Sequence, residues 1–96
     1  MQKIDKAEIN KLFSAILSLE NKEECSAFFY DICTFQELEA IAQRFEVACK
    51  LAEGKSYIDI NKETGASTAT ICRVSKCLNY GEGGYETAIK RLKEGK

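Results

Sequence analysis

A chain of 96 residues is long enough for one small domain, and a domain of this size leaves much apolar surface exposed to water unless a partner covers it. The absence of Pro and the lack of alternating strand-forming residues favour an all-α fold without a sheet. The net charge of −1 excludes a uniformly basic nucleic-acid binder, so such a function would depend on how charge is distributed along the chain.

The first residues show no targeting or anchoring signal. Residues 1–6 mix acidic and basic side chains, and no apolar window approaches the length of a membrane span. We therefore expect a cytoplasmic protein that has no membrane partner.

Apolar residues recur at helical spacing over residues 5–19, and they cover a wider arc than a one-sided surface helix needs. They are Ile4, Ile9, Leu12, Phe13, Ile16, Leu17 and Leu19. The pattern predicts a helix that buries two faces. This helix either lies at the centre of the core, or it packs both on its own subunit and on a second chain.

The second and third predicted helices have recognisable N-termini. Asn21 followed by Glu24 is typical of an N-cap pair, and Thr34 with Glu37 forms a capping box. Gly54 is placed to end the third helix. The second helix is marked by Cys25, Phe28, Phe29 and Ile32, and the apolar stripe of the third by Leu38, Ile41, Ala42, Phe45, Ala48, Cys49 and Ala52.

Two further short helices meet at Gly65, within residues 56–80. Ser56 is expected to cap the first of them, and the second should begin at Ser67 or Thr68. The turn between the two helices needs a positive φ, which glycine adopts without the steric penalty of a side chain.

The apolar residues on both sides of Gly65 have the spacing of a helix-turn-helix. Ile60 lies five residues before the glycine, while Ile71 and Val74 lie six and nine residues after it, so the inner faces can meet across the turn. The outer face carries small, polar or basic side chains that suit base edges and phosphates in a major groove. The residues predicted to contact DNA on this exposed face are Ser67, Thr68, Ala69, Thr70, Cys72, Arg73 and Lys76.

Charge supports this location of a nucleic-acid interface. Residues 1–54 contain six Lys/Arg and ten Asp/Glu (net −4), residues 55–80 four and two (net +2), and residues 81–96 four and three (net +1). Because the positive excess is modest, we expect weak nonspecific binding that is strongly sensitive to salt.

A glycine-rich segment at residues 81–84 ends the helix-turn-helix, and helical spacing returns in a final helix over residues 85–93. There is no internal repeat or linker, so residues 1–96 are expected to form one domain. Within it, residues 1–54 would supply the dimerisation and core helices, 56–80 the helix-turn-helix and 85–93 the C-terminal helix.

Enzymatic function is not expected. The chain has no His, no nucleophile beside a plausible base and no phosphate-binding glycine loop, because residues 81–84 follow a helix and not a strand. No metal site or disulfide framework is expected either, since the cysteines are odd in number and form no C-x-x-C pair. The sequence predicts reduced, partly buried thiols at Cys25, Cys33, Cys49, Cys72 and Cys77.

Two blocks of the sequence resemble the Trp repressor-like superfamily, and more closely its YerC/YecD branch. The first block is TFQELEAIAQR at residues 34–44, and the second is TGASTATICRV at residues 64–74, continued by LNYGEGGY at residues 78–85. The resemblance covers a little over half of the chain. The Gly-Ala-x-x-Ala-Thr-Ile-x-Arg core is specific, because an arbitrary helix-turn-helix would share the glycine and the apolar positions but not the Ala-Thr between them.

The resemblance implies six helices per subunit and an intertwined homodimer, in which the N-terminal helices of one chain pack on the other. It also implies that two reading heads lie side by side on double-stranded DNA. In the ligand-controlled repressor, tryptophan is held by residues that correspond to Thr34, Arg44 and Arg73. This sequence has Val74 and Cys77 where that repressor has Gly and Ser, and a valine would fill part of the space for the indole ring.

The sequence therefore favours a dimeric, sequence-specific DNA-binding regulator, in the role of a repressor that reads a palindromic duplex. One alternative is a helical dimerisation or adaptor module that binds protein, which the near-neutral charge and the acidic first half favour. Another is a ligand-gated repressor with an aromatic amino acid such as tryptophan as its effector.

Overall fold

The computed structural model describes residues 5–95, and it contains six α-helices and no strand within that range. The helices are α1 (Lys6–Leu17), α2 (Lys22–Ile32), α3 (Phe35–Ala52), α4 (Tyr57–Thr64), α5 (Thr68–Tyr80) and α6 (Gly84–Lys93). The predicted all-α fold with six helices is confirmed. In the same range, no helix is long and apolar enough to cross a membrane. The described residues divide into two compact units, one ending at Leu38 and the other beginning at Glu39.

Helix α1 begins and ends with local hydrogen bonds. The Asp5 carboxylate accepts from the Ala7 amide at 2.8 Å, and the Ser18 hydroxyl donates to the Ala15 carbonyl at 2.6 Å. The helix ends at Leu17, so the prediction of a helix that reaches residue 19 was two residues too long. Ile4, the first member of the predicted apolar set, lies outside the described residues.

The apolar side chains of α1, and of Leu19 just after it, differ in exposure. Phe13 is 54% exposed and Leu17 is 84% exposed, so residues 5–95 leave much of these two side chains uncovered. The half-buried members are Ile9, Leu12, Ile16 and Leu19. The wide apolar arc therefore has one partly buried portion and one portion in contact with water.

Helix α2 is capped by Asn21, whose side-chain oxygen accepts from the Glu24 amide at 2.8 Å. The Glu24 carboxylate accepts from the Glu20 amide at 2.9 Å, one residue before the cap. The rings of Phe28 and Phe29 are half-buried and meet edge to face, with centroids 5.5 Å apart. No described residue of the first unit is fully buried.

Both ends of α3 follow the predicted motifs. The Thr34 hydroxyl accepts from the Glu37 amide at 3.0 Å, and the Glu37 carboxylate accepts from the Thr34 amide at 2.8 Å, which completes the capping box. At the other end, Gly54 has φ 83°, and the amides of Gly54 and Lys55 donate to carbonyls of the last helical turn. This is a Schellman motif, which needs the left-handed conformation at the glycine.

The buried core belongs to the second unit. Its members are Val47, Ala48, Ile60, Ala66, Ile71, Val74 and Ile89, with Phe45, Cys49, Leu51 and Tyr85 packed against them. The predicted stripe of α3 omitted Val47, which is fully buried, and included Ile41, which is 42% exposed. The stripe was wrong here because the buried face of an apolar helix depends on which elements pack against it.

The remaining elements of the second unit begin close to the predicted positions. The Ser56 hydroxyl accepts from the Asp59 amide at 3.1 Å and caps α4. Helix α6 begins at Gly84, one residue before the predicted start, after Gly83 with φ 83°. It carries Glu86 in its first turn and Lys90, Arg91 and Lys93 in its last turn, an order that suits the helix dipole.

Candidate nucleic-acid interface

The turn between α4 and α5 is made by Gly65 in the left-handed conformation, with φ 76° and ψ 2°. Its amide donates to the Asn61 carbonyl at 2.9 Å, which ends α4. A Cβ added at this glycine would meet no atom within 4 Å. Glycine is therefore needed here for the backbone conformation and not for lack of space, as the sequence predicted.

Side chains around the turn make hydrogen bonds to nearby backbone groups. The Thr64 hydroxyl donates to the Ile60 carbonyl at 2.7 Å and accepts from the Ala66 amide at 3.1 Å. The Asn61 amide group donates to the Ala66 carbonyl at 2.7 Å. These bonds stabilise the turn, because buried backbone groups are costly to leave unpaired.

Helix α3 contributes to the same turn through Gln43, whose side-chain nitrogen donates to the Thr64 carbonyl at 3.2 Å. None of Gln43, Asn61 and Thr64 was predicted from the sequence to support the turn. Asn61 and Thr64 could have been predicted, since Asn and Thr are common in turns that need local hydrogen bonds. The role of Gln43 could not have been predicted in this way, because it is separated from its partner Thr64 by 21 residues.

An ion-pair cluster joins α3 to α4. Lys50 Nζ lies 2.7 Å from one oxygen of Glu63, and Lys55 Nζ lies 3.4 Å from the other. Lys50 also lies 3.6 Å from Glu46, one helical turn earlier. The hydrogen bond from Lys50 holds the pKa of Glu63 below its ordinary value, and the hydrogen bond to Glu63 raises the pKa of Lys50.

Helix α5 presents two different faces. Ile71 and Val74 are 1% exposed and point into the core of the second unit. The outer side chains that the sequence predicted to contact DNA are exposed at six positions: Ser67, Thr68, Ala69, Cys72, Arg73 and Lys76. We call these six residues the outer face of α5.

Thr70 differs from the other predicted contact residues. The prediction that it is exposed was wrong, because its side chain is half-buried. Ser67 is the N-cap of α5, where its hydroxyl accepts from the Thr70 amide at 3.2 Å and lies 3.2 Å from the Thr70 hydroxyl. The Ser67 and Thr70 side chains therefore have structural roles at the start of the helix.

The residues of the predicted tryptophan pocket belong to both units. Thr34, in the first unit, is engaged in the capping box of α3. In the second unit, Arg44 is half-buried with no carboxylate within 4 Å among residues 5–95, and Arg73 is exposed. Val74 belongs to the buried core. A tryptophan pocket at these residues stays a prediction.

The thiols are more accessible than the sequence predicted. Cys25, Cys72 and Cys77 are exposed, so the prediction of partly buried side chains was wrong for these three. Cys33 and Cys49 are half-buried, and all five are free. Burial raises the pKa of the Cys49 thiol, with a further contribution from the nearby carboxylates of Glu46 and Glu53.

A left-handed glycine between two short helices, with an apolar inner face and an exposed outer face on the second, defines a helix-turn-helix protein of the all-α class. The family follows from comparison with known sequences. Residues 7–93 match the model of the Trp repressor protein family, and the chain belongs to that family. Its members are regulators and not enzymes.

Relatives support the same assignment over nearly the whole chain. The uncharacterized protein YerC of Bacillus subtilis (strain 168) is 53% identical over 94 residues, which are 98% of this chain and 90% of YerC. The crystal structure of a TrpR-like protein from Eubacterium eligens ATCC 27750 superposes with a TM-score of 0.89 at 48% identity, covering 93% of this chain and 92% of that one. A candidate Trp repressor from Staphylococcus aureus gives a TM-score of 0.88 at 44% identity, with 93% and 89% covered.

Proposed function

We propose that this protein is a sequence-specific DNA-binding transcriptional regulator that acts as a repressor in the cytoplasm. The observation that carries the proposal is the outer face of α5, which is exposed while Ile71 and Val74 on the opposite face are buried. A recognition helix needs this division, because one side must pack on its own domain while the other enters a major groove.

The chemistry of the outer face suits a duplex. Thr68 and Ala69 are small, so the backbone at the start of α5 can approach base edges closely. Arg73 and Lys76 lie one and two turns further along and supply cations for phosphate oxygens. The exposure of these four residues supports an orientation of α5 on the duplex in which its N-terminal half contacts bases.

The proposed regulator acts as a homodimer. In the first unit no described residue is fully buried, and large apolar side chains remain exposed at Phe13 (54%), Leu17 (84%), Tyr30 (62%), Ile32 (52%) and Phe35 (70%). An exposed apolar surface of this kind is costly in water and is typical of an interface. A second copy that covers it would bring two reading heads onto the two halves of a palindromic site.

Selection of bound duplexes from a randomised pool, at low salt, tests the proposal. We expect a palindromic consensus, and we expect Thr68→Ala to change the base preference at one position in each half-site. Lys76→Ala should weaken binding to all duplexes and lower the slope of affinity against salt by about one. Lys22→Ala, at an exposed lysine of α2, is the control that should leave both quantities unchanged. A protein that selects no sequence from the pool would refute the proposal.

A further inference from the structure

The carbonyl groups on both sides of Gly65 accept hydrogen bonds from side-chain amides. Asn61 donates to the Ala66 carbonyl at 2.7 Å, and Gln43 donates to the Thr64 carbonyl at 3.2 Å. Asn61 belongs to α4, so its bond lies within the helix-turn-helix. Gln43 belongs to α3, so its bond connects the turn to a helix outside the motif.

The bond from Gln43 supplies a donor to a carbonyl group that has no partner within α4. The Thr64 carbonyl is in the last turn of α4, where carbonyl groups have no donor four residues ahead within the helix. Both Gln43 and Thr64 are half-buried, so the carbonyl depends on a protein donor more than an exposed one would. Any shift of α3 along α4 would have to break this bond or carry the turn with it.

Gln43 makes the polar contact between α3 and α4 that lies closest to the turn. Lys50, seven residues later on α3, pairs with Glu63 at 2.7 Å, so two polar contacts join α3 to the last turn of α4. A spacing of seven residues places both side chains on one face of α3. The contact at Glu63 is at the surface, while the contact at Gln43 is made to the backbone of the turn itself.

From this geometry we infer that Gln43 is a positioning residue for DNA recognition: it fixes the turn relative to α3 and so sets the angle at which α5 meets a duplex. The inference rests on the proposed DNA-binding function and deepens it. Base contacts require placement within a fraction of an ångström, whereas phosphate contacts by long cationic side chains tolerate small rotations of the helix. Gln43 therefore acts on sequence discrimination more than on nonspecific affinity.

Gln43→Glu tests this role, because it keeps the side-chain size and replaces the donor nitrogen with a carboxylate oxygen. Gln36→Glu is the matched control: it makes the same charge change at an exposed glutamine of α3. For Gln43→Glu, the ratio of affinities for a selected and a scrambled duplex should fall by about three- to tenfold, the effect of one lost hydrogen bond. The slope of affinity against salt should be the same in the two variants. If Gln43→Glu lowers both affinities equally and the ratio is kept, the positioning role is refuted.

Amide hydrogen exchange in the free protein tests the same connection without DNA. In Gln43→Glu, exchange at the Gly65 and Ala66 amides should be about three- to tenfold faster than in Gln36→Glu, because the lost bond lowers the cost of local opening. Equal exchange in the two variants would refute the connection between α3 and the turn. If the wild-type protein shows no duplex preference, the DNA-binding function and the positioning role fail together. Faster exchange in Gln43→Glu would then support only the structural connection.

Discussion

Lys50 Nζ lies 2.7 Å from Glu63 Oε1, and this contact joins α3 to the last turn of α4. The Lys50 side chain is 18% exposed and that of Glu63 is 39% exposed, so the pair is only partly screened by water. Lys55 approaches the second oxygen of the same carboxylate at 3.4 Å. Glu63 is thus held by two cations from different segments of the chain, one on α3 and one in the connection before α4.

The ion pair makes a prediction about pH. Because the pKa of Glu63 is lowered from its ordinary value of 4.5 in the folded protein, the pair stabilises the fold above about pH 4.5, and this contribution is lost as the pH falls through the lowered pKa. Because the pKa of Lys50 is raised above 10.5, the contribution is also lost at high pH, as the pH rises through the raised pKa. Between these limits it is constant.

Thermal unfolding of Glu63→Gln and wild type over a pH series measures this effect. The midpoint of Glu63→Gln should be slightly lower than that of wild type near pH 7, and the difference should shrink toward zero as the pH falls below 4.5. Glu23→Gln, at an exposed carboxylate of α2 for which no ion pair is found within residues 5–95, is the control. A difference that grows at low pH would contradict the prediction.

Gly65 is required for its backbone conformation, and this makes a second prediction. Gly65→Ala should destabilise the protein by about 1–2 kcal/mol, because an L-residue other than glycine is strained at φ 76°. Gly84→Ala is the control: it lies at the start of α6, has no positive φ, and an added Cβ would meet nothing within 4 Å. Its stability should be unchanged or slightly higher. Denaturant unfolding measures both, and equal losses in the two variants would contradict the interpretation of Gly65.

A third prediction concerns the apolar contact across the turn. Ile71→Ala should cost about 2–5 kcal/mol, since Ile71 is 1% exposed and its loss leaves a cavity in the core. Ile58→Ala, at a side chain that is 70% exposed, should change stability by less than about 0.5 kcal/mol. Denaturant unfolding of both variants gives the comparison. Similar losses at the two positions would mean that Ile58 is covered in solution.

The parts of this fold that depend on neighbouring residues could be predicted from the sequence. The Thr34 and Glu37 capping box, the Schellman glycine at Gly54 and the left-handed Gly65 each depend on residues a few positions apart. The exposure of the outer face of α5 could also be predicted, because Ile71 and Val74 determine which face is buried.

The parts that depend on distant residues could not be predicted. Gln43 meets Thr64 only when α3 and α4 are packed together, and no local pattern marks that contact. Val47 was missed for a related reason: α3 is apolar on more than one side, so its buried face is chosen by the helices around it. The exposure of Thr70 was predicted wrongly because Thr70 lies four residues before the buried Val74, which places its side chain at the edge of the buried face of α5.

The fourth prediction uses the exposed thiol on the outer face of α5. Cys72 is exposed, whereas Cys49 is half-buried and burial raises the pKa of its thiol, which keeps it in the less reactive protonated form. A thiol-specific reagent at pH 7 should therefore modify Cys72 faster than Cys49. A bound duplex selected by the protein should slow the modification of Cys72 and leave that of Cys49 unchanged. Peptide mapping by mass spectrometry measures both rates, and equal protection of the two thiols would contradict direct contact at Cys72.

The fifth prediction concerns a tryptophan effector. Val74 is 1% exposed and belongs to the core. The resemblance places it where the ligand-controlled repressor has glycine, and it implies that a valine would fill part of the space for an indole ring. Added tryptophan should therefore leave the midpoint of thermal unfolding unchanged. A ligand that bound the folded state would raise its stability by about 2.7 kcal/mol at a hundred times its dissociation constant. A rise of that size with tryptophan, and not with an equal concentration of alanine, would show that the protein is ligand-gated and that Val74 moves aside.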